Sequence, residues 1–185
     1  DDPGMLVLPT HRLLSGLSRE ALSKLSSEQL GQYFTVQPLA NDTSREAMLQ
    51  QLDLAGREQP ALVIYRPEQS LLLRLNAAGE QRMAASGRTA AWNKLDVATA
   101  QLLVLEDLLG ISAEDMAAGK YVRYTHDEAQ LFQAVQSGEA QAALILNATP
   151  LRQVCDVAQA DDRMPQKSTY IYPKLITGLV INPLW

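Results

Sequence analysis

Short apolar runs alternate with amphipathic stretches along this chain of 185 residues. Runs rich in branched or aromatic residues and bounded by Gly, Pro or polar turns are typical of buried strands. They predict strands at 5–8, 33–36, 61–65, 71–75, 120–125, 142–146, 168–172 and 176–181, with a helix as the alternative for the last. Apolar positions three and four residues apart, with Ser, Thr or Pro at the starts, predict the helices. These lie at 19–25, from 26 onward, and at 43–55, 96–108, 111–118, 128–137 and 150–160.

The clearest supersecondary pattern lies between residues 120 and 146. A predicted strand is followed by the capping box Thr125-x-x-Glu128, a helix that ends at Gly138, and a second apolar strand. A strand–helix–strand unit this short implies a parallel strand pair with a right-handed crossover. We therefore predict an α/β fold, with a mixed α+β arrangement as the alternative. Its mixed sheet should contain at least one parallel β-α-β unit and carry helices on its faces.

The length predicts one domain over residues 1–185, because 20.3 kDa is an ordinary domain size. Only the stretch 76–93 lacks a clear hydrophobic period, since it is rich in Ala, Gly and Arg. We expect a long loop there, and it is the one candidate for an internal sub-boundary.

Composition excludes several classes of function. The net charge of −5 argues against nucleic acid as a partner, because phosphate binding depends on clustered Lys and Arg. One cysteine and two histidines are too few for a disulfide framework or a structural metal site. Cys155 lies in a predicted helix, where its side chain is expected to be buried. No apolar run is long enough to span a membrane and no signal peptide is visible, so we expect a cytoplasmic protein.

The first candidate for chemistry is Thr10-His11-Arg12, which follows the predicted strand at 5–8. Ligand groups gather at strand ends in α/β folds, and a hydroxyl, an imidazole and a guanidinium together suit an anion. The alternative is a turn whose polar groups bind local backbone, and the residues do not decide between the two. His126, beside a helix start, and Gly87-Arg88-Thr89 are more typical of solvated surface. No glycine-rich phosphate-binding motif occurs.

A second cluster lies near the end of the chain. Lys167-Ser168-Thr169 offers a cation beside two hydroxyls, and Tyr172 and Lys174 follow closely. These are groups that a phosphate or carboxylate pocket uses. An edge strand protected by lysine and proline is the alternative, but edge protection does not explain the hydroxyls and tyrosines. We favour a binding site.

Two longer motifs resemble those of a bacterial and archaeal family known as domain of unknown function ten-fifteen. One is Asp2-Pro3-Gly4-x-Leu6-Val7-Leu8-Pro9-Thr10-His11-Arg12. The other, which resembles the C-terminal signature of the family, is Met164-Pro165-x-Lys167-Ser168-Thr169-Tyr170-x-Tyr172-Pro173-Lys174-Leu175-x-Thr177-Gly178-Leu179. The resemblance extends along essentially the whole chain.

The resemblance implies a piece of a longer protein. Complete family members carry an N-terminal half with an Asp-Gly-His-His-Arg motif, absent here, which resembles ParB-like nucleotide-binding domains, a group that includes a free-serine kinase. A chain that begins at Asp1 and lacks this motif is therefore expected to be a C-terminal fragment. The motif residues in this chain that match the family are His11, Arg12, Lys167, Ser168, Thr169, Tyr172 and Lys174.

These observations lead to one hypothesis and one alternative. The chain would help to bind a small anionic ligand, a nucleotide or a phosphorylated metabolite such as phosphoserine, in one pocket at a sheet edge that His11 and Arg12 share with Lys167. Alternatively it is an interaction domain that packs on the N-terminal half without a ligand site of its own.

Catalytic residues, a metal and a cofactor are not assigned to this chain. For the whole protein, phosphoryl transfer or phosphate-ester chemistry with a nucleotide is the expected activity if it is an enzyme, and this chain alone is expected to be inactive. The expected partners are the N-terminal half and a small anion, and a homo-oligomer is compatible with the sequence.

Overall fold

The computed structural model describes residues 6–173, so the predicted element at 176–181 and the candidate Lys174 lie outside the described residues. The strands are β1 (Leu6–Leu8), β2 (His11–Leu14), β3 (Phe34–Leu39), β4 (Ala61–Tyr65), β5 (Ser70–Leu75), β6 (Val122–Thr125), β7 (Ala142–Leu146) and β8 (Tyr170–Tyr172). The helices are α1 (Arg19–Ser23), α2 (Ser27–Leu30), α3 (Arg45–Gly56), α4 (Ala77–Ala84), α5 (Asp96–Thr99), α6 (Ala113–Ala117), α7 (Glu128–Gln136) and α8 (Leu151–Gln159). A short 3-10 turn, Trp92–Lys94, precedes α5, which continues as a π-helix over Ala100–Leu108.

Six strands form the main sheet in the order β3-β5-β4-β7-β2-β6, which confirms the α/β class. The β6–α7–β7 unit is present, and β6 and β7 run in the same direction because both pair antiparallel to β2. The prediction of a mixed sheet needs correction, since β2 lies between the two parallel strands and every neighbouring pair in the described sheet is antiparallel.

The insertion of β2 has a simple physical reason. All four residues of β2 are buried, including Leu13 and Leu14, so the strand needs partners on both edges and cover on both faces. A local strand–helix–strand pattern carries no information about a strand so much earlier in the chain. For this reason the sequence indicates the unit but not its split form.

A second, two-stranded sheet joins the ends of the described chain. β1 and β8 pair antiparallel, with Leu6 opposite Tyr172 and Leu8 opposite Tyr170. This pairing places the two motifs of the sequence side by side. Each strand has only three residues, so the contact depends on the surrounding packing more than on the ladder itself.

Helices cover both faces of the main sheet, as predicted. Alternate residues of β4 belong to different apolar clusters: Leu62 and Ile64 pack with the π-helix, whereas Val63 packs with α3 and α7. This alternation follows from the pleat of a strand, which sends successive side chains to opposite faces. The sheet is therefore the central layer of three.

The prediction of a long loop at 76–93 is wrong over its first half, where α4 forms. The side chain of Asn76 caps this helix by accepting a hydrogen bond from the backbone N–H of Gly79 at 2.9 Å. Gly79 weakens the helical pattern in the sequence, but the position needs glycine. A Cβ atom there would lie 2.3 Å from the carbonyl oxygen of Tyr33.

Two smaller differences have equally local causes. The strand expected at 33–36 extends through Pro38 to Leu39, since β3 is an edge strand and an edge strand tolerates proline. Cys155, expected to be buried, is exposed, because Val157 faces the core from α8 instead. Neither difference alters the fold.

The central position of β7 predicts a graded response to truncation. Leu144→Ala removes a fully buried side chain (0% exposed) and is expected to lower the free energy of unfolding by about 2–5 kcal/mol. Leu54→Ala, at a position that is 53% exposed, should change it by less than about 0.5 kcal/mol. Urea denaturation of both variants tests this, and equal losses would contradict the described core.

Candidate functional site

Polar side chains from three strands meet at one end of the main sheet. His11 at the start of β2 is opposite Thr125 at the end of β6. On the other side of β2, the backbone N–H of Leu146 at the end of β7 donates to Nδ1 of His11 at 3.2 Å. The loops that follow β6 and β7 and the loop that precedes β2 therefore share one edge of the protein, where ligand sites of α/β folds commonly lie.

His11 is buried (0% exposed) behind this edge rather than presented at it. Burial lowers the pKa of its imidazole to about 4, with further contributions from the charges of Arg12 and His126. The ring is thus neutral at pH 7. Its Nε2 atom has no hydrogen-bond partner within the described residues. Because folding lowers the pKa of His11, the folded protein loses stability as pH falls from about 6.5 towards 4.

Arg12 is buried as well (2% exposed). Its guanidinium donates to the carbonyl oxygen of Thr10 and lies 5.6 Å from the centre of the Tyr124 ring. Burial lowers its pKa to about 10, which leaves it charged at neutral pH. No carboxylate of residues 6–173 forms an ion pair with it. A buried cation that no carboxylate of the described residues neutralises raises the positive potential at this edge.

A cavity of about 700 Å³, here called the β6 cavity, opens beside the edge strand. Thr10, the end of α6, β6 and the segment 166–170 form its walls. His11 and Arg12 are not among the lining residues, but each adjoins one that is. Lys167 and Thr169 do line the cavity, so the structure brings part of the second sequence cluster to the neighbourhood of the first.

The other candidates of the second cluster have different positions. The hydroxyl of Ser168 is buried and donates to the carbonyl oxygen of Pro165, so it holds the loop rather than facing the cavity. Tyr172 lies in β8 and is exposed, apart from the cavity-lining residues. Lys174 is outside the described residues.

His126 is exposed, as the sequence indicates, but it also lines the β6 cavity. Its ring stacks on Tyr170, with centroids 4.0 Å apart and an interplanar angle of 15°. The pair joins the end of β6 to β8. A signal was available in principle, because His126 directly follows a strand that the sequence predicts.

Gly87-Arg88-Thr89 does bind an anion, but the anion belongs to the same chain. The backbone N–H and the hydroxyl of Thr89 both donate to the Asp162 carboxylate, at 3.1 and 2.9 Å. Arg88 forms an ion pair with the same carboxylate. Gly87 and Arg88 are exposed, as expected for a solvated turn, but the segment also fastens the loop at 160–165 to the body of the protein.

Asp96 is the most perturbed carboxyl group at this end of the sheet. One of its oxygens accepts from the backbone N–H of Ala61 at 3.1 Å, and the other accepts from the Asn147 side chain at 3.0 Å. Burial raises the pKa of this carboxyl to about 6, and the two hydrogen bonds offset the rise in part. Asp96 lines a second cavity, of about 310 Å³, and carboxyl groups perturbed by burial beside a cavity are candidates for functional sites.

Sequence reasoning missed Asp96 and Asn147 for different reasons. Asp96 begins a helical pattern, where an acidic residue is favoured by the helix dipole alone. Asn147, by contrast, directly follows the apolar strand at 142–146, and the rule that ligand groups collect at strand ends would have selected it.

Two searches of the described residues concern other kinds of site. Within 6–173 there is no group of three or more His, Cys, Asp or Glu side chains placed to hold a metal ion. No helix of that part of the chain is long and apolar enough to cross a membrane.

No protein-family model matches the chain, and no curated protein matches it either. Solved structures do match the chain. A mutant free serine kinase in complex with AMP aligns with a TM-score of 0.52 and 13% identity over 92% of this chain and 55% of its own. A conserved hypothetical protein from Pyrococcus furiosus aligns with a TM-score of 0.52 and 12% identity, over 92% and 57%. A second mutant of the kinase, also with AMP, gives 0.51 and 14%, over 92% and 55%.

These likenesses show a shared fold. The chain spans little more than half of the length of the solved structures that it matches.

The raised pKa of Asp96 predicts a pH-dependent stability. The pKa of Asp96 is higher in the folded state than in the unfolded state. The folded protein therefore loses up to about 3 kcal/mol of stability as pH rises from about 4 to 6. Asp96→Asn should therefore gain stability relative to the wild type between pH 4.5 and pH 7.5. Urea denaturation at the two pH values measures this. Asp115→Asn, which removes a carboxyl whose pKa is lowered by Ser112, should show no such gain. A stability difference for Asp96→Asn that stays constant with pH would contradict the prediction.

Proposed function

We propose that this chain binds a small anionic ligand in the β6 cavity, a nucleotide or a phosphorylated metabolite such as phosphoserine, as the C-terminal part of a ParB-like protein. The observation that carries the proposal is the composition of the cavity wall. The lining residues within 6–173 include Lys167, Arg123 and His126 but no carboxylate. In a chain with a net charge of −5, a wall of this kind favours an anion.

The individual groups suit phosphate in different ways. Arg123 is paired with Glu139 at 2.8 Å and is therefore partly neutralised. Lys167 has no carboxylate partner within the described residues, so its charge remains available. The hydroxyl of Thr125 is engaged with Gln130 at the start of α7, whereas Thr10 and Thr169 add further hydroxyls to the wall. Hydroxyls beside a lysine are common partners of phosphate oxygens.

The size and the aromatic groups of the cavity support a nucleotide more than a bare phosphate. A volume of about 700 Å³ is within the range of cofactor and nucleotide sites. Tyr124 and the stacked pair of His126 and Tyr170 offer flat surfaces beside the cationic groups. The kinase structures that share this fold contain AMP or ADP, which supports the same class of ligand for this chain.

For the complete protein we propose phosphoryl transfer or phosphate-ester chemistry, with the ParB-like N-terminal half as the partner of this chain. The family resemblance supports this assignment. The histidine-rich motif of the family is absent from this chain, so the β6 cavity is proposed as a binding site and no catalytic residue is assigned to it.

One observation favours the alternative function, an interaction domain. Leu6 and Tyr172 are opposite each other in the small sheet and are 54% and 58% exposed. An apolar pair of this kind suits contact with another protein segment or a second copy. The ligand experiment below separates the two functions, because an interaction domain should bind none of the probes.

Lys167→Gln is expected to weaken binding of AMP, ADP and inorganic phosphate by about tenfold or more, since a charge-assisted hydrogen bond contributes about 1.5–3 kcal/mol. Isothermal titration calorimetry measures the affinities. Lys24→Gln is the matched control, because Lys24 lies at the end of α1 and not on the cavity. Equal affinities for the two variants would contradict the assignment of Lys167.

The same probes should be tested with the complete protein. A ligand that binds only the folded state stabilises it by about 2.7 kcal/mol at a hundredfold excess over Kd. If this chain and the complete protein both fail to bind any phosphorylated probe, the proposed function is wrong. Binding by the complete protein alone would place the site between its two halves.

A further inference from the structure

A third cavity, of about 360 Å³ and here called the Arg66 cavity, lies beside the turn between β4 and β5. The start of α3 and the second half of α7 complete its walls. Tyr65, at the end of β4, is opposite Ala143 near the start of β7, whereas His11 contacts the other end of β7. Among the described residues, none lines both this cavity and the β6 cavity. The Arg66 cavity is therefore a separate space.

Arg66 directly follows β4 and carries a hydrogen-bond donor that no group of the described chain satisfies. Its terminal nitrogen pairs with the carboxylate of Glu68, which lies in the turn, is 60% exposed and does not line the cavity. The Nε atom of Arg66 is buried and has no hydrogen-bond partner within residues 6–173. Buried N–H donors are nearly always bonded, so an unsatisfied donor on a cavity wall points to an acceptor from outside the described chain.

Arg45, the second cation on the cavity wall, has no carboxylate partner in the described part of the chain. Its guanidinium carbon lies 4.8 Å from the centre of the ring of Phe132, which is buried. This cation–π contact holds the guanidinium against α7, but it does not satisfy the N–H groups with an oxygen acceptor. The charge of Arg45 and its donors therefore remain available to a ligand.

The other polar groups on the described wall are neutral, and no carboxylate of residues 6–173 lines the cavity. The side-chain amide of Gln136 donates to the Tyr65 hydroxyl at 3.3 Å, which leaves the hydrogen of that hydroxyl to donate elsewhere. Ser44 is already engaged, because its hydroxyl caps α3 by accepting from the backbone N–H of Ala47 at 3.2 Å. The cavity therefore presents two cations and a hydroxyl donor without an acid beside them.

We propose that the Arg66 cavity binds a small dicarboxylate, with one carboxylate at Arg66 and the other at Arg45. The two guanidiniums are held on different walls, by Glu68 in the turn and by Phe132 on α7. A ligand whose two charges are on separate groups can meet both cations, and a guanidinium matches a carboxylate with two parallel hydrogen bonds. The carboxylate at Arg66 would also accept from the unsatisfied Nε. The volume, at the lower end of the range of small-molecule sites, suits a short carbon chain.

The first test uses the wild-type chain and calorimetry with four unbranched dicarboxylates: malonate, succinate, glutarate and adipate. At least one should bind, and the affinity should depend on chain length, because the two arginines fix the separation of the charges. The monoamide of the best ligand should bind about tenfold more weakly or worse, since it lacks one charged group. No binding by any of the four would overturn the proposal, and so would equal affinity for the monoamide.

Arginine variants test the position of the site. Arg66→Gln and Arg45→Gln should each weaken binding of the best dicarboxylate by about tenfold or more. Arg57→Gln is the matched control, because Arg57 is also an arginine at an end of α3 and pairs with Asp53 at 2.5 Å away from this cavity. It should bind normally. Affinity that is unchanged in either Arg66→Gln or Arg45→Gln would overturn the proposal.

Glu68→Gln tests the direction of the effect. It removes the carboxylate that competes with the ligand for Arg66, so dicarboxylate binding should become about threefold tighter or more. Glu28→Gln makes the same change in net charge on α2, away from the cavity, and should give no such gain. Because Glu68 is exposed, this variant decides the question even if an arginine variant fails to fold. Equal affinity in the two glutamate variants would overturn the assignment of Arg66.

The site stands independently of the anion proposed for the β6 cavity, and binding of AMP separates the two. Arg66→Gln should retain AMP binding, and Lys167→Gln should retain dicarboxylate binding. Loss of dicarboxylate binding in Lys167→Gln would place the ligand in the β6 cavity and overturn the present proposal. If AMP binds none of these proteins, the proposed function fails, while the dicarboxylate series still decides the question of the Arg66 cavity.

Discussion

The pairing of β2 with β6 on one edge and β7 on the other is the constraint on which the rest of the structure depends. It is an antiparallel arrangement, so the start of β2 must coincide with the ends of both neighbours. Three loops are thereby gathered at one end of the sheet, and the two that hold Thr10 and His126 contribute to the wall of the β6 cavity. The hydrogen bond from the backbone N–H of Leu146 to the His11 ring extends the contact between β7 and β2 beyond their last paired residues. If β6 and β7 paired directly, β2 would not lie between them, and Thr10 at its start would be distant from the ends of these two strands.

The buried and the exposed polar groups at this end divide their roles. His11 and Arg12 are held inside, where the first is neutral and the second remains charged. Neither residue is among those that line the β6 cavity. Lys167 and His126 are in the opposite situation, with side chains on the cavity wall. Asp96 is intermediate, since burial raises the pKa of its carboxyl to about 6 while its hydrogen bonds limit the rise.

Sequence patterns predicted the strands better than their arrangement. Continuous apolar runs such as 61–65 and 142–146 have a clear cause, burial on both faces, and both were found at the expected positions. The split of the β-α-β unit depends on a strand distant in sequence, which no local pattern contains. Helix α4 was missed because Gly79, required by a close backbone contact, breaks the pattern that would have revealed it. The cation and hydroxyls of 167–169 were visible as chemistry, whereas Asp96 resembled an ordinary helix start.

The backbone at Lys167 has a further consequence. This residue has a φ of 54°, in the left-handed region that side chains with a Cβ atom rarely adopt, and Asp161 at the other end of the loop has a φ of 55°. A lysine in that conformation costs about 1 kcal/mol relative to glycine. Evolution towards greater thermal stability would therefore favour glycine at position 167, while selection for an anion in the cavity would favour the lysine. If the β6 cavity binds an anion as proposed, stability and binding compete at this single position.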